Sequence, residues 1–425
     1  DFGYGDYDNG SFDNLGWNNF VANLQWKYSL LDDRLRISAS ASYNDYSSNQ
    51  RQEKELSGVY NELTIKSLIK ETSATVVADG VLTNNGLLTA KIGARYNGSE
   101  FNPGSSRVYG EESSMADINK TKNSLTTIFG QLRYGRDRWH LMAAARYNIF
   151  RGDKNGADYK VSKPEISVSG GLMITDWMKL EATYDRLEQF YHTLEGIPLG
   201  WSVDMIVPSN GKVAPENSSQ IYAGLAFSFN NHTFSIGGYT KDLDNIIYFE
   251  KASEFFSSAA SRWSDFIQTG KGTSYGIETL YEKRGERLNY KIAYTYSKTD
   301  RTFDGVNRGE TFLAKYDRPH VLNVTGDYVF RRSEKNEMGV NLQFTYQSGN
   351  METVKSGTYI AHLPGWEYDI EVDWYSGKIN NYRMPAYTRL DIGWWGTFYG
   401  KRLTHTVKAG IYNVFNRHNH FSLYY

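Results

Sequence analysis

The sequence predicts an all-β fold, an antiparallel barrel that spans a membrane, and three observations carry that prediction. The first is alternation of apolar and polar residues over stretches of about ten, the period of a strand whose two faces meet different surroundings. Residues 386–415 show it best: Leu390, Ile392, Trp394 and Phe398 share one parity, and Arg389, Asp391 and Thr397 the other. After Gly400-Lys401-Arg402, Leu403, Val407, Ala409 and Ile411 again share a face, opposite Thr404, Thr406 and Lys408. The second observation is that such arms come in pairs, joined by short polar turns, with much longer connections between pairs. The third is composition. Aromatic residues make up 15% of the 425 residues, with 33 Tyr and 10 Trp, which suits girdles at lipid–water interfaces. The mean hydropathy of −0.58 and the lack of any apolar run of about 18 residues argue against helical spans.

Taken in order, the first hairpin joins 20–30 to 34–46 through Leu31-Asp32-Asp33. The second joins 68–82 to 87–101 through Thr83-Asn84-Asn85-Gly86, where Asn-Gly is the strongest short hairpin signal. A third turns at Gly135-Arg136-Asp137, between 125–134 and 139–150, and a fourth at Thr175-Asp176-Trp177, between 165–174 and 179–187. Turns five to seven fall at 230–232, 284–286 and 331–336, and 386–415 is the eighth hairpin, giving about sixteen strands. Met338, Val340, Leu342, Phe344 and Tyr346 alternate with Gly339, Asn341, Gln343, Thr345 and Gln347. The long connections are 47–66, 102–123, 152–164, 188–218, 242–273, 298–319 and 349–385, all on the rim opposite the turns. In water a two-faced sheet needs a covering layer, and no helical period is present to supply one. Closing the sheet in lipid satisfies both its edges and its apolar face.

Other classes find little support. A net charge of −1 gives no footprint for a nucleic-acid partner, and the absence of Cys removes disulfide, zinc-thiolate and cysteine-nucleophile readings. Of eight His, only His418 and His420 are close enough to share a strand face, and a polar loop is the simpler account of them. Asp6, Asp8, Asn9, Asp13 and Asn14 form an acidic cluster without calcium-loop spacing. No nucleophile elbow or catalytic constellation appears, so an enzyme is not expected, nor any cofactor or metal.

Three stretches resemble the TonB-dependent outer-membrane receptors. Asn381-Tyr382-Arg383-Met384-Pro385-Ala386-Tyr387-Thr388-Arg389-Leu390-Asp391, followed by Ile411-Tyr412-Asn413-Val414-Phe415-Asn416-Arg417, is similar to that family's late "P-x-Y-x-R-L-D … Y-N-x-F-N" pattern. Lys315-Tyr316-Asp317-Arg318-Pro319-His320 resembles the segment opening a late strand, and Glu188-Gln189-Phe190-Tyr191-His192 with Trp201 and Val207-Pro208 a mid-barrel loop. The resemblance implies a barrel of about 22 strands around a plug. Placing 386–415 at strands 20 and 21 makes 20–30 strand 6. On that count residues 1–425 are part of an outer-membrane barrel domain, with the plug, the first five strands and the closing strand expected outside them. The resemblance also implies import of a scarce nutrient (glycan, peptide, siderophore or vitamin) powered by the inner-membrane TonB complex through the plug. A surface lipoprotein lid is compatible with it.

Ligand contact is expected from aromatics on the long-connection rim: Tyr191, His192, Trp201, Trp263, Trp366, Tyr368, Trp374 and Tyr382, with Arg383. Aromatic faces with directed polar groups suit sugars, peptides or chelates, though the same residues could pack loop on loop. Trp139, Trp177, Phe229, Tyr281, Phe330 and Tyr399 lie beside the short turns and fit the inner lipid girdle. Two other readings stand beside import: a sixteen-stranded passive porin, and an outer-membrane adhesin or scaffold whose loops bind a macromolecule.

Overall fold

The computed structural model describes residues 2–6, 11–56, 59–109, 112–115, 120–152, 158–194, 205–250, 262–362, 370–374 and 377–420. Among these, sixteen long strands stand out: Ser11–Leu30, Leu35–Leu56, Val59–Val81, Leu88–Tyr109, Thr121–Arg136, Trp139–Gly152, Lys160–Thr175, Met178–Gln189, Glu216–Phe229, His232–Phe249, Ile267–Arg284, Leu288–Thr302, His320–Arg332, Asn336–Gln347, Tyr387–Tyr399 and Thr404–Ile411. They belong to one 19-stranded sheet, and every register resolved in it is antiparallel. All eight short turns fall where the sequence places them. Gly86 takes a left-handed φ of 72° in the Asn-Gly turn, a conformation that glycine adopts at little cost.

The far ends differ from expectation. Residues 47–56 and 59–66, read from the sequence as loop, continue the strands Leu35–Leu56 and Val59–Val81, paired residue for residue from Leu35↔Gly80 to Leu56↔Val59. The strand Leu88–Tyr109 likewise runs on through 102–109. Here buried positions are polar as often as apolar, with Ser48, Gln50, Thr64 and Ser67 buried beside Ile65, so the period-2 contrast in hydropathy fades while the backbone ladder continues.

The chain divides into two compact units. The first comprises Asp1–Gly170, Tyr184–Ser219 and Leu243–Gly270. Its cross-strand rows sort by chemistry: Trp26–Ala39–Val76–Ala94–Ile128–Tyr147 and Tyr28–Ile37–Ala78–Ile92–Gly130–Ala145 are apolar. The row between them on the pleat is mixed, Lys27–Ser38–Val77–Gly93–Phe129–Arg146, with three polar positions of six, and Gln25–Ser40–Thr75–Arg95–Thr127–Asn148 is polar throughout. The apolar face is open: Leu24 is 75% exposed, Ile92 64% and Leu141 60%. Soluble monomers rarely expose so continuous an apolar surface, whereas a lipid-facing wall does. The band ends at the row Phe20–Asp45–Lys70–Glu100–Lys122, where Lys70 lies 3.6 Å from Asp45 and Lys122 3.7 Å from Glu100. From Leu35 to Asp45 is about ten residues, roughly 33 Å along the strand and, at the usual tilt, roughly the 25 Å apolar height of an outer-membrane barrel.

The second unit comprises Gly171–Thr183, Gln220–Asp242 and Lys271–Tyr425. Tyr290–Gly326–Leu342–Ile392–Ile411 and Leu288–Tyr328–Val340–Trp394–Ala409 form apolar rows, between which Asn289–Asp327–Asn341–Gly393–Gly410 runs on the opposite face. Trp395 belongs to that opposite face, donating from Nε1 to Asp327 at 2.9 Å. Aromatics cluster at the turn end: Trp177 stacks on Phe227 and Phe227 on Phe234, while Phe229, His232, Tyr281 and Tyr290 form a second chain of ring contacts.

Candidate functional site

In the first unit the polar face is a hydrogen-bonded wall. Ser42 and Ser73 hydroxyls meet at 2.6 Å, Arg95 donates to Asn97 at 2.7 Å, and Thr127 donates to Asn148 at 2.7 Å. Asn148 donates in turn to the buried Glu165 at 2.8 Å, with Arg146 3.5 Å from the same carboxylate. Buried carboxylates persist only when paired and hydrogen-bonded, and Glu165 has both kinds of partner.

Against the outer end of this wall folds a small hairpin, Tyr191–Leu194 paired with Met205–Pro208, which packs on the strand Leu88–Tyr109. Tyr191 sets its ring 5.3 Å from Phe101 and 6.1 Å from Phe150, and Phe190 stacks on Phe150 at 5.4 Å. Burial pushes the Tyr191 phenol up from its ordinary value, so it stays a protonated donor. His192 is fully buried: Nε2 lies 2.9 Å from the Ser209 hydroxyl and Nδ1 3.3 Å from Glu216. Behind it, Leu194, Met205, Val207, Val213, Ile65, Ile247, Phe249 and Trp263 form a hydrophobic cluster.

In the second unit two distant motifs meet. The Arg383 guanidinium donates to the Asp317 carboxylate at 2.6 Å, to the Asp317 carbonyl at 2.6 Å and to the Gly349 carbonyl at 3.0 Å. Asp317, only 1% exposed in its side chain, also accepts the Thr299 backbone N–H at 2.8 Å. Arg318 donates to Asn350 and Gln347, both at 2.6 Å. Further along, Asp391 accepts the Asn413 N–H at 2.9 Å, and Arg389 lies over the Tyr412 ring at 4.6 Å.

Of the residues singled out for ligand contact, Tyr191, His192, Trp263 and Arg383 are thus engaged in packing or hydrogen bonds within their own units. His192 and Trp263 are buried and Tyr191 is half-buried under its ring contacts. Tyr382 is 41% exposed, beside the Met351–Glu352 bridge strand. Trp374 ends the strand Ile370–Trp374, paired with Gly357–Ala361, while Trp201, Trp366 and Tyr368 lie outside the described residues. The wall residues Ser99, Asn123, Asn148 and Glu165 were not singled out from the sequence. Counting register upward from Asn84-Asn85-Gly86 would have put Ser99 on the polar face. Among the described residues no group of three metal-ligating side chains comes together.

The sequence matches the family model described as TonB dependent receptor-like, beta-barrel, over residues 1–414. No curated protein matches it. Among solved structures it is similar to BauA, the ferric preacinetobactin receptor from Acinetobacter baumannii, at 12% identity and a TM-score of 0.66, covering 96% of this chain and 60% of that one. It is similar to the ferric-catecholate import receptor Fiu from K12 E. coli at 9% identity and a TM-score of 0.62, covering 97% of this chain and 62% of that one. It is also similar to the FrpB iron transporter from Neisseria meningitidis (F3-3 variant) at 12% identity and a TM-score of 0.59, covering 95% and 68%. At such identities the likeness speaks for the fold, and the chain spans only 60% of the length of BauA. With a family model matching nearly its whole length, the chain belongs to the TonB-dependent receptor β-barrel family and is an outer-membrane protein.

Proposed function

We propose that this chain is the barrel portion of a receptor that imports a scarce nutrient (glycan, peptide, siderophore or vitamin) across the outer membrane. Its long-connection rim captures the solute, and the inner-membrane TonB complex drives entry through a plug held against the polar wall. The observation that carries this reading is the wall itself. A polar face organised as hydrogen-bonded rows, with strands rising well past the apolar band, supplies both a path and a raised rim. Tyr382, Trp366, Tyr368 and Trp374 on the same long connection, and Trp201 on another, are the aromatics assigned to ligand contact in this reading. Tyr191, His192, Trp263 and Arg383 fix the segments that carry them, and a surface lipoprotein lid over the rim is compatible with this arrangement.

The test is uptake in cells with and without a working TonB complex, together with conductance of the full-length receptor in planar bilayers. Import that stops without TonB, and no steady conductance, is the expected pair of results. Steady conductance with TonB-independent uptake would instead make the barrel a passive pore. Ligand capture without uptake would make it a scaffold.

A further inference from the structure

Beneath the Tyr191 hairpin the wall holds polar atoms with nothing to bond to. Ser99 and Asn123 face each other in register across neighbouring strands and are 4% and 6% exposed. The Ser99 hydroxyl and both amide atoms of Asn123 have no hydrogen-bond partner, nor do the Tyr191 phenol oxygen and Glu188 Oε2. The Tyr191 phenol faces the Ser99 hydroxyl. Buried amides and hydroxyls in native sites are almost always paired, so a group from outside the chain belongs here.

We propose that Ser99, Asn123 and Tyr191 form a subsite for an uncharged, hydroxyl-bearing solute, capped by the Tyr191–Leu194 hairpin; this deepens the receptor reading above and rests on it. The charge balance selects against anions. Arg95 lies 3.9 Å from Glu71, Arg146 faces Glu165, and Glu188 has one oxygen held by Asn217 at 2.7 Å and the other open. The free carboxylate oxygen repels an anionic solute and accepts from a hydroxyl. Asn123 needs an acceptor and a donor at once, and a single hydroxyl supplies both.

Ligand-detected saturation-transfer NMR on the full-length receptor in detergent, with D-glucose and citrate as probes, tests this. Glucose should receive saturation and citrate should not. Ser99→Ala should weaken the glucose response about tenfold, the loss of one hydrogen bond, and Asn123→Leu should abolish it. Heat-modifiable electrophoretic mobility reports whether each variant is folded. Because Ser99→Ala removes only a hydroxyl, it keeps the test sound even if Asn123→Leu fails to fold. The subsite is overturned if glucose gives no response, if folded variants respond like the wild type, if citrate is preferred, or if a crystal soaked in glucose shows only ordered water between Ser99 and Asn123. Loss of TonB dependence with the glucose response intact would sink the receptor reading and leave the subsite standing.

Discussion

Arg383 and Asp317 are 66 residues apart in sequence and 2.6 Å apart in space. Each lies in a motif that resembles the receptor family, and their meeting explains why both segments have the residues they do. Asp317 is buried and Arg383 is its charge partner, so removing the guanidinium strands a carboxylate in a dry place. Arg383→Met should therefore destabilise the barrel by roughly 3–5 kcal/mol in urea unfolding from liposomes. Unchanged stability would mean that Asp317 is satisfied by Thr299 alone. Gly349, whose carbonyl Arg383 also grips, leaves no room for a side chain: a Cβ there would sit 1.8 Å from the Met384 carbonyl oxygen. Gly349→Ala should cost about 1–3 kcal/mol, as overpacking does, whereas Gly357→Ala, with nothing within 4 Å of its Cβ, should be neutral. Both motifs were legible as motifs from the sequence. Their partnership was not, because nothing in a linear pattern says which loops touch.

At the scale of elements, the turn ends of the strands were readable and the outer ends were not. Asn-Gly, Asp-Asp and Asn-Asn sit where the chain must reverse, and alternation is sharp next to them because one face meets lipid. Beyond the row of Asp45, Lys70, Glu100 and Lys122 that contrast vanishes, and the strands Leu35–Leu56 and Val59–Val81 run on unseen by periodicity. The two faces should respond differently to charge. Ile92→Arg, on the apolar row, should cost roughly 2–4 kcal/mol near the bilayer midplane. Gln131→Arg, on the opposite face in register with Lys91, should fold and insert normally, as judged by heat-modifiable mobility after refolding into vesicles. Equal effects at both positions would remove the distinction between the walls.

For the whole molecule, the fold class followed from alternation, turn spacing and aromatic content together, none of which depends on tertiary detail. The inward-folded hairpin did not, because Tyr191, His192 and Trp263 have the same side chains whether they face solvent or pack against Phe101 and Ile65. The central claim is that alternate residues of each strand touch acyl chains. The chain contains no cysteine, so single cysteines can be placed one at a time along residues 89–101 of the strand Leu88–Tyr109 and spin-labelled in liposomes. Oxygen should relax labels at Ala90, Ile92, Ala94 and Tyr96 strongly, and a water-soluble nickel chelate should not. The labels between them should show weak oxygen access, and Glu100 should turn to the aqueous pattern. Labels that show no alternation, or aqueous access at Ile92 and Ala94, would contradict the claim.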